Sequence, residues 1–460
     1  MPVLFSSACA TYQYDAKPVE TKQITAEYIK RNLENTELGN FLSEYGYVRN
    51  DWPMKIWDLR ALALAGYFYN PDIQVAIAEY NKSITNADVA ALYPNPGIQI
   101  PLEYHDETGG GISPWLIGII FDFVFERGAK RQARVDIAEA EKDTARLSIL
   151  QKAWQIYTDI RDAYLDHFVA LSTYEFLEKK EEIIVSLLDL LERSFELGET
   201  SAFEVNSTRL ELQKVKLELA SEQIRISDSR HILAGKIGIP ASALEKIQFS
   251  FDEIVRYLEF SSYDRGDVQE LALTHRLDIQ QALLEYAVYE SALRLEIENQ
   301  YPDINLSPGF IFDQSDNVWT LGTSWIIPLL HTNNESAIRL ALEDRKIKQA
   351  EIFSLQTGIL NEIELSRSRL ESTKLALGQA ILLMEEASDR NLKLQKQFEL
   401  GYLDNLPLIR NRLELLSIEG ALGDFELNVI KAAFGYENTV QYPLTDIPGY
   451  LLYDDIQDKN

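Results

Sequence analysis

A chain of 460 residues that is 46% hydrophobic has enough apolar mass to bury cores in two or more domains, which excludes a wholly disordered protein. A formal net charge of −28 argues against a nucleic-acid partner, whose phosphate backbone such a surface would repel, so none is expected. The single cysteine excludes an intramolecular disulfide, and no apolar run reaches the roughly 18 residues that a spanning α-helix needs.

Residues 1–55 mix Tyr, Asn and Gly without a clean period and read as an irregular N-terminal arm. Cys9 closes "LFSSAC", which looks like the end of a bacterial lipoprotein signal, yet Ser6 stands where such signals usually have Leu. The residues before Cys9 are also too few for a basic segment followed by an apolar one. Cys9 therefore reads either as a lipid-anchor site in a chain that starts further upstream or as an ordinary cysteine.

From Ile56 to Leu92 the pattern is helical, and "YPNPG" stops it. Ile98, Ile100, Leu102 and Tyr104 then alternate with Gln99, Pro101, Glu103 and His105, and after "DETGGGISP" the set Ile117, Ile119, Phe121, Phe123 and Phe125 alternates again. Period two predicts a β-hairpin over 97–125, with Pro101 at odds with a regular ladder. Between Gly128 and Gly198 there is neither Gly nor Pro, and apolar residues recur at three- and four-residue steps. Such a helix is on the order of 100 Å long. "ELGETSAFEV" reads as a helix-to-helix turn with Gly198 in the left-handed closing position, and the returning helix runs to about Ala234.

The second half repeats this plan: a hairpin over 303–329 containing Pro308, a helix from Asn333 to Leu400 with Gly358 and Gly378 as soft points, a turn at Gly401, and a return to about Phe434. Residues 441–460 read as a solvated acidic tail. "FELG" occurs at Phe195 and again at Phe398, and at the same offset of 203 Arg209–Leu212 matches Arg412–Leu415. "NPDIQVAIAEY" resembles "RLDIQQALLEY", Tyr93–Pro94 recurs as Tyr301–Pro302, and "WLIG" as "WTLG". The chain is a duplication with repeats over 56–265 and 266–440, and each "FELG" marks the tip of a long helical hairpin.

Four alternating strands with aromatics on one face resemble part of a membrane barrel but cannot close, since known closed barrels have at least about eight. Open edges in lipid leave backbone groups unsatisfied, and three copies would supply about twelve strands. The expected fold is thus mainly α with a small β part: duplicated long helical hairpins forming a trimeric α-barrel, plus four strands per chain in a shared 12-stranded β-barrel. No catalytic constellation emerges, because His105, His167, His231, His275 and His331 are scattered and no phosphate-binding loop is present; no cofactor or metal site is expected.

The duplication, the "NPDIQVA…YP" start of each half, the hairpin followed by "FERGAKRQAR" (Phe125 to Arg134) and the paired "FELG" turns resemble the TolC-like outer-membrane efflux proteins over about residues 59–440. "FERGAKR" is most similar to their heavy-metal and cation efflux branch. The resemblance implies a homotrimeric, non-enzymatic conduit in the outer membrane, with a helical tunnel in the periplasm that docks onto a periplasmic adaptor and an inner-membrane transporter. The implied docking tips are Phe195, Leu197 and Gly198 with Phe398, Leu400 and Gly401. Related channels narrow at an Asp six residues past the tip glycine. Glu204 holds that place in the first repeat, whereas Pro407 holds it in the second, which leaves Glu204, Asp404 and Arg410 as candidates for a constriction, either as ion pairs between hairpins or as solvated charges. Tyr104, Trp115, Phe312, Trp319 and Trp325 are candidates for a membrane-interface belt. The alternative is a soluble coiled-coil scaffold, against which the aromatic hairpins argue.

Overall fold

The computed structural model describes residues 14–47, 52–106, 109–260, 265–325 and 334–441; Cys9, the end of the second hairpin and the acidic tail lie outside them. The duplication is visible element by element. The first repeat holds α3 (Leu59–Tyr69), α4 (Pro71–Ala90), β2 (Gly97–Gln99), β3 (Leu102–Tyr104), β4 (Trp115–Phe125), α5 (Lys130–Glu196) and α6 (Ala202–Ile237). The second holds α8 (Arg265–His275), α9 (Leu277–Glu298), β6 (Ile304–Asp313), β7 (Asp316–Trp325), α10 (Glu335–Glu399) and α11 (Asn405–Val440). Helices α6 and α11 have 36 residues each and stand 203 residues apart at both ends. The 265/266 repeat boundary falls on the first residue of α8.

Helices α5 and α10, of 67 and 65 residues, are each about 100 Å long. α10 runs through Gly358 and Gly378 without a break, so the soft points expected there do not form. At each tip Gly198 and Gly401 take φ of +79° and +78°, where a Cβ would be strained. The amides that follow, of Glu199 and Tyr402, donate back to Ser194 and Gln397 at 2.9 Å, closing identical helix ends.

In the half towards the tips α5 packs between α6 and α11, and α11 packs on α10; in the other half α5 packs between α4 and α9, and α9 packs on α10. The short helices therefore sit end to end in pairs, α4 above α6 and α9 above α11, giving four helices at every level. The two joints are built alike. Asn70, the N-cap of α4, donates from Nδ2 to the Lys236 carbonyl at 3.1 Å, and Arg276, the N-cap of α9, donates from Nη1 to the Thr439 carbonyl at 2.6 Å.

The main core surrounds these joints. α3 is apolar on nearly all sides, and its Leu59, Leu62, Leu64 and Tyr67 are buried against Tyr157, Ile160 and Tyr164 of α5, as expected for a helix hydrophobic all round. Asn70 and Pro71 separate α3 from α4, so the helical pattern over Ile56–Leu92 is two helices preceded by a short strand, β1 (Ile56–Trp57), which pairs in parallel with β5 (Gln248–Phe249). A short α7 (Asp252–Arg256) follows.

The N-terminal arm is not irregular throughout. It contains α1 (Thr21–Lys30) and α2 (Thr36–Glu44), the latter started by Asn35, whose side chain accepts from the Glu37 amide. Leu38 and Leu42 of α2 are buried in the main core, which fixes this segment. Arg31 reaches the carbonyls of Tyr69 and Gly238, both at 2.8 Å, and so ties the arm to the α4–α6 joint.

A two-faced sheet and a paired helical tip

The sheet runs in the order β2/β3–β4–β6–β7, all antiparallel, so the two hairpins meet through β4 and β6, and among the described residues the outer strands β2/β3 and β7 have free edges. Both prolines act as breaks without shifting the register. Pro101 splits the first strand into β2 and β3, and Pro308, which lacks an N–H, sits where the β4–β6 ladder is interrupted between Gly309 and Leu306. The alternation therefore survives.

One face carries Ile98, Leu102, Tyr104, Trp115, Ile117, Ile119, Phe121, Phe123, Phe125, Trp319, Leu321 and Trp325, every one of them exposed. The opposite face carries a polar cluster. Asp122 accepts from Gln99 Nε2 at 2.7 Å and from Ser307 Oγ at 2.6 Å, and Asn305 donates to Ser324 at 3.3 Å. Strands of ten and eleven residues suit a membrane-spanning β-strand of about 9–11 residues.

Of the belt candidates, Tyr104 and Trp115 are register partners with rings 4.9 Å apart, and Phe312 pairs with Ile117 beside them. Trp325 lies at the other end of the sheet opposite Ile304, and Trp319 packs on Phe310 at 5.0 Å between the two levels. The five residues thus do not form one ring: three mark the hairpin end and one the helix end.

At the far end of the molecule the two tips stand side by side, held by a small cluster of Leu187, Leu191, Val205 and Ile409 from α5, α6 and α11. Leu197 and Leu400 lie beyond it, 74% and 70% exposed, with Phe195, Phe398 and both glycines also exposed. Arg410 Nη2 donates to Glu204 Oε1 at 2.8 Å, so two of the constriction candidates meet across the hairpins of one chain. Ser201 caps α6 by accepting from the Glu204 amide at 3.3 Å, and the Thr200 hydroxyl donates to the Glu204 carboxylate. The Thr200 bond, then the Arg410 bond, holds the Glu204 carboxyl below its ordinary range. Asp404 is exposed at the start of α11, makes no side-chain cap and does not join this pair.

Both lateral edges of the helical layer are apolar and, among the described residues, uncovered. On α6, Phe203, Leu210, Leu217 and Ile224 are exposed at a strict seven-residue spacing, and on α10 Leu340, Ile347, Leu375 and Leu382 fall on one seven-residue frame. That period is the signature of a supercoiled helix seam.

Sequence reasoning missed a buried network at the joint. Arg161 of α5 and Glu437 of α11 approach to 3.3 Å with neither exposed, and Tyr157 and Tyr257 donate to the two Glu437 oxygens at 2.9 and 2.8 Å. The Arg161 guanidinium also lies 4.1 Å from the Phe434 ring. Among the described residues no group of three His, Cys, Asp or Glu is placed to hold a metal ion, and no helix is long and apolar enough to cross a membrane.

No protein-family model and no curated protein matches the chain. Solved structures do. The outer membrane protein VceC of Vibrio cholerae superposes at TM-score 0.67 with 16% identity, covering 84% of this chain and 97% of its own. CusC, described by its channel formation, gives 0.66 with 11% identity over 84% and 92%, and the CmeC outer membrane channel of Campylobacter jejuni gives 0.66 with 10% identity over 87% and 88%. The scores do not separate one branch from another. The chain has the fold of the TolC-like outer-membrane channels, as its repeated turns and hairpins imply.

Proposed function

We propose that three copies of this chain form a passive exit duct of an efflux or secretion system, with the sheets joined into a 12-stranded barrel in the bacterial outer membrane and the helices forming a tunnel in the periplasm. The observation that carries this reading is the sheet: one face predominantly apolar with most of its large side chains exposed, the other bearing a polar cluster, and both edges unpaired among the described residues. In lipid such edges are costly, and pairing β2/β3 of one copy with β7 of the next removes them all if the ring closes. The same head-to-tail step brings the α6 stripe of one copy to the α10 stripe of the next. A soluble scaffold would leave the aromatic face in water.

The tips would dock onto a periplasmic adaptor that connects to an inner-membrane transporter, through Phe195, Leu197, Phe398 and Leu400, with Gly198 and Gly401 shaping the turns. Their apolar exposure at the end of a rigid hairpin supports this. Glu204 and Arg410 would stand at the constriction. A heavy-metal or cation cargo rests on the "FERGAKR" segment alone.

The test is reconstitution of the detergent-extracted protein in a planar bilayer. The reading predicts discrete conductance steps that require the trimer and vanish when Leu217→Asp breaks the α6 seam. A protein that extracts without detergent and never conducts would exclude the duct.

A further inference from the structure

The segment "ERGAKRQAR" places Arg127, Lys130, Arg131 and Arg134 within eight residues of a chain whose net charge is −28. The structure divides these four cations into two kinds. Lys130 is buried and paired to Asp303 at 2.8 Å, and Arg134 is held by both oxygens of Glu126. Arg127 and Arg131 have no carboxylate partner among the described residues; instead their guanidinium carbons lie over tyrosine rings, Arg127 5.7 Å from Tyr301 and Arg131 4.5 Å from Tyr93.

Those tyrosines are the repeated residues of the two Tyr-Pro pairs, so one short segment serves the same position in both repeats. Tyr93 is 70% exposed and Tyr301 49%. The carboxylates nearby are already engaged. Asp303 takes Lys130 and the Arg127 amide, Glu298 accepts from the Ala129 amide, and Asp136 accepts from Arg294. The strand end from which the segment leaves carries Phe125, Ile304 and Trp325, the helix-side limit of the apolar face.

We propose that Arg127 and Arg131, with Tyr301 and Tyr93, form a collar that binds the phosphates of anionic phospholipid headgroups where the sheet meets the helices. This rests on the reading of the sheet as membrane-inserted. A guanidinium stacked on a ring keeps N–H edges free for phosphate oxygens; Arg131 uses one Nη1 on the Ala91 carbonyl at 3.3 Å and keeps the rest. Tyrosine suits the headgroup level because its ring is apolar and its hydroxyl polar.

The experiment is native mass spectrometry of the detergent-solubilised full chain titrated with phosphatidylglycerol, for wild type, R127Q/R131Q, Y93L/Y301L and, as a control at the tip, R193Q. The arginine pair should weaken lipid binding about tenfold, the tyrosine pair less, and R193Q not at all. Millimolar inorganic phosphate should not displace the lipid; displacement would overturn the headgroup assignment. Equal binding by wild type and R127Q/R131Q, in a protein that still inserts into phosphatidylglycerol vesicles, would overturn this inference alone. A wild type that fails to insert would overturn the membrane reading with it.

Discussion

Arg410 of α11 donates to Glu204 of α6 across the two hairpin tips of one chain, at 2.8 Å and in contact with solvent. An exposed pair contributes little to stability, but this one links the two tips directly. R410E is expected to leave the fold intact and to raise open probability in bilayers several-fold, and E204R/R410E to restore it. High salt should weaken the wild-type effect, because at about 1 M the screening length falls to about 3 Å, comparable with the separation of this exposed pair. Unchanged gating in all variants would leave these residues as surface charges. Since the folded-state pKa of Glu204 is depressed, its contribution is present above the unfolded value and is lost as pH falls through the folded one, so acid should mimic E204Q.

The Arg161–Glu437 pair fastens the first repeat to the second in the core. Removing one partner leaves a buried charge, so R161M should cost about 3–5 kcal/mol in denaturant unfolding. R161M/E437Q should recover much of that loss, because the carboxylate goes while an amide still serves Tyr157 and Tyr257. If the double variant loses as much as the two singles summed, the pair is not coupled.

His167 on α5 is buried, its Nδ1 is 2.9 Å from Ser229 Oγ, its ring lies edge-on to Phe249, and Nε2 has no hydrogen-bond partner among the described residues. Burial, and secondarily Arg230, pushes its pKa down from 6.5 to about 4. The unfolded chain therefore binds the extra proton between those values, and stability should fall as pH drops from 6.5 towards 4. The loss should approach about 3 kcal/mol from this group. Thermal unfolding at pH 7 and pH 5 should show a smaller difference in His167→Leu than in wild type; an identical difference would assign the acid sensitivity elsewhere.

What the sequence made legible was whatever repeats or runs unbroken. The Gly- and Pro-free stretch gave α5 its length, the doubled "FELG" placed both tips at Gly198 and Gly401, and the alternation around Pro101 and Pro308 survived because neither proline shifts the register. The short α1 and α2 were missed because ten and nine residues hold too few turns for a period, although Asn35 is a capping residue. Arg161 and Glu437 lie far apart in sequence, and the Asn70 and Arg276 joints likewise bridge distant segments, so nothing local announces them. Glu204 and Arg410 were legible as candidates only through the resemblance to channels that narrow just past the tip glycine, and Asp404 shows that this resemblance did not decide which charges meet.

Further copies of the chain should close the free edges of the helical layer and of the sheet. Electron microscopy of the native, detergent-extracted particle tests it most directly. The expected particle is a three-fold hollow cylinder on the order of 100 Å long in its helical part, ending in a short barrel of twelve strands. A monomer or a rod-like dimer independent of detergent would contradict it.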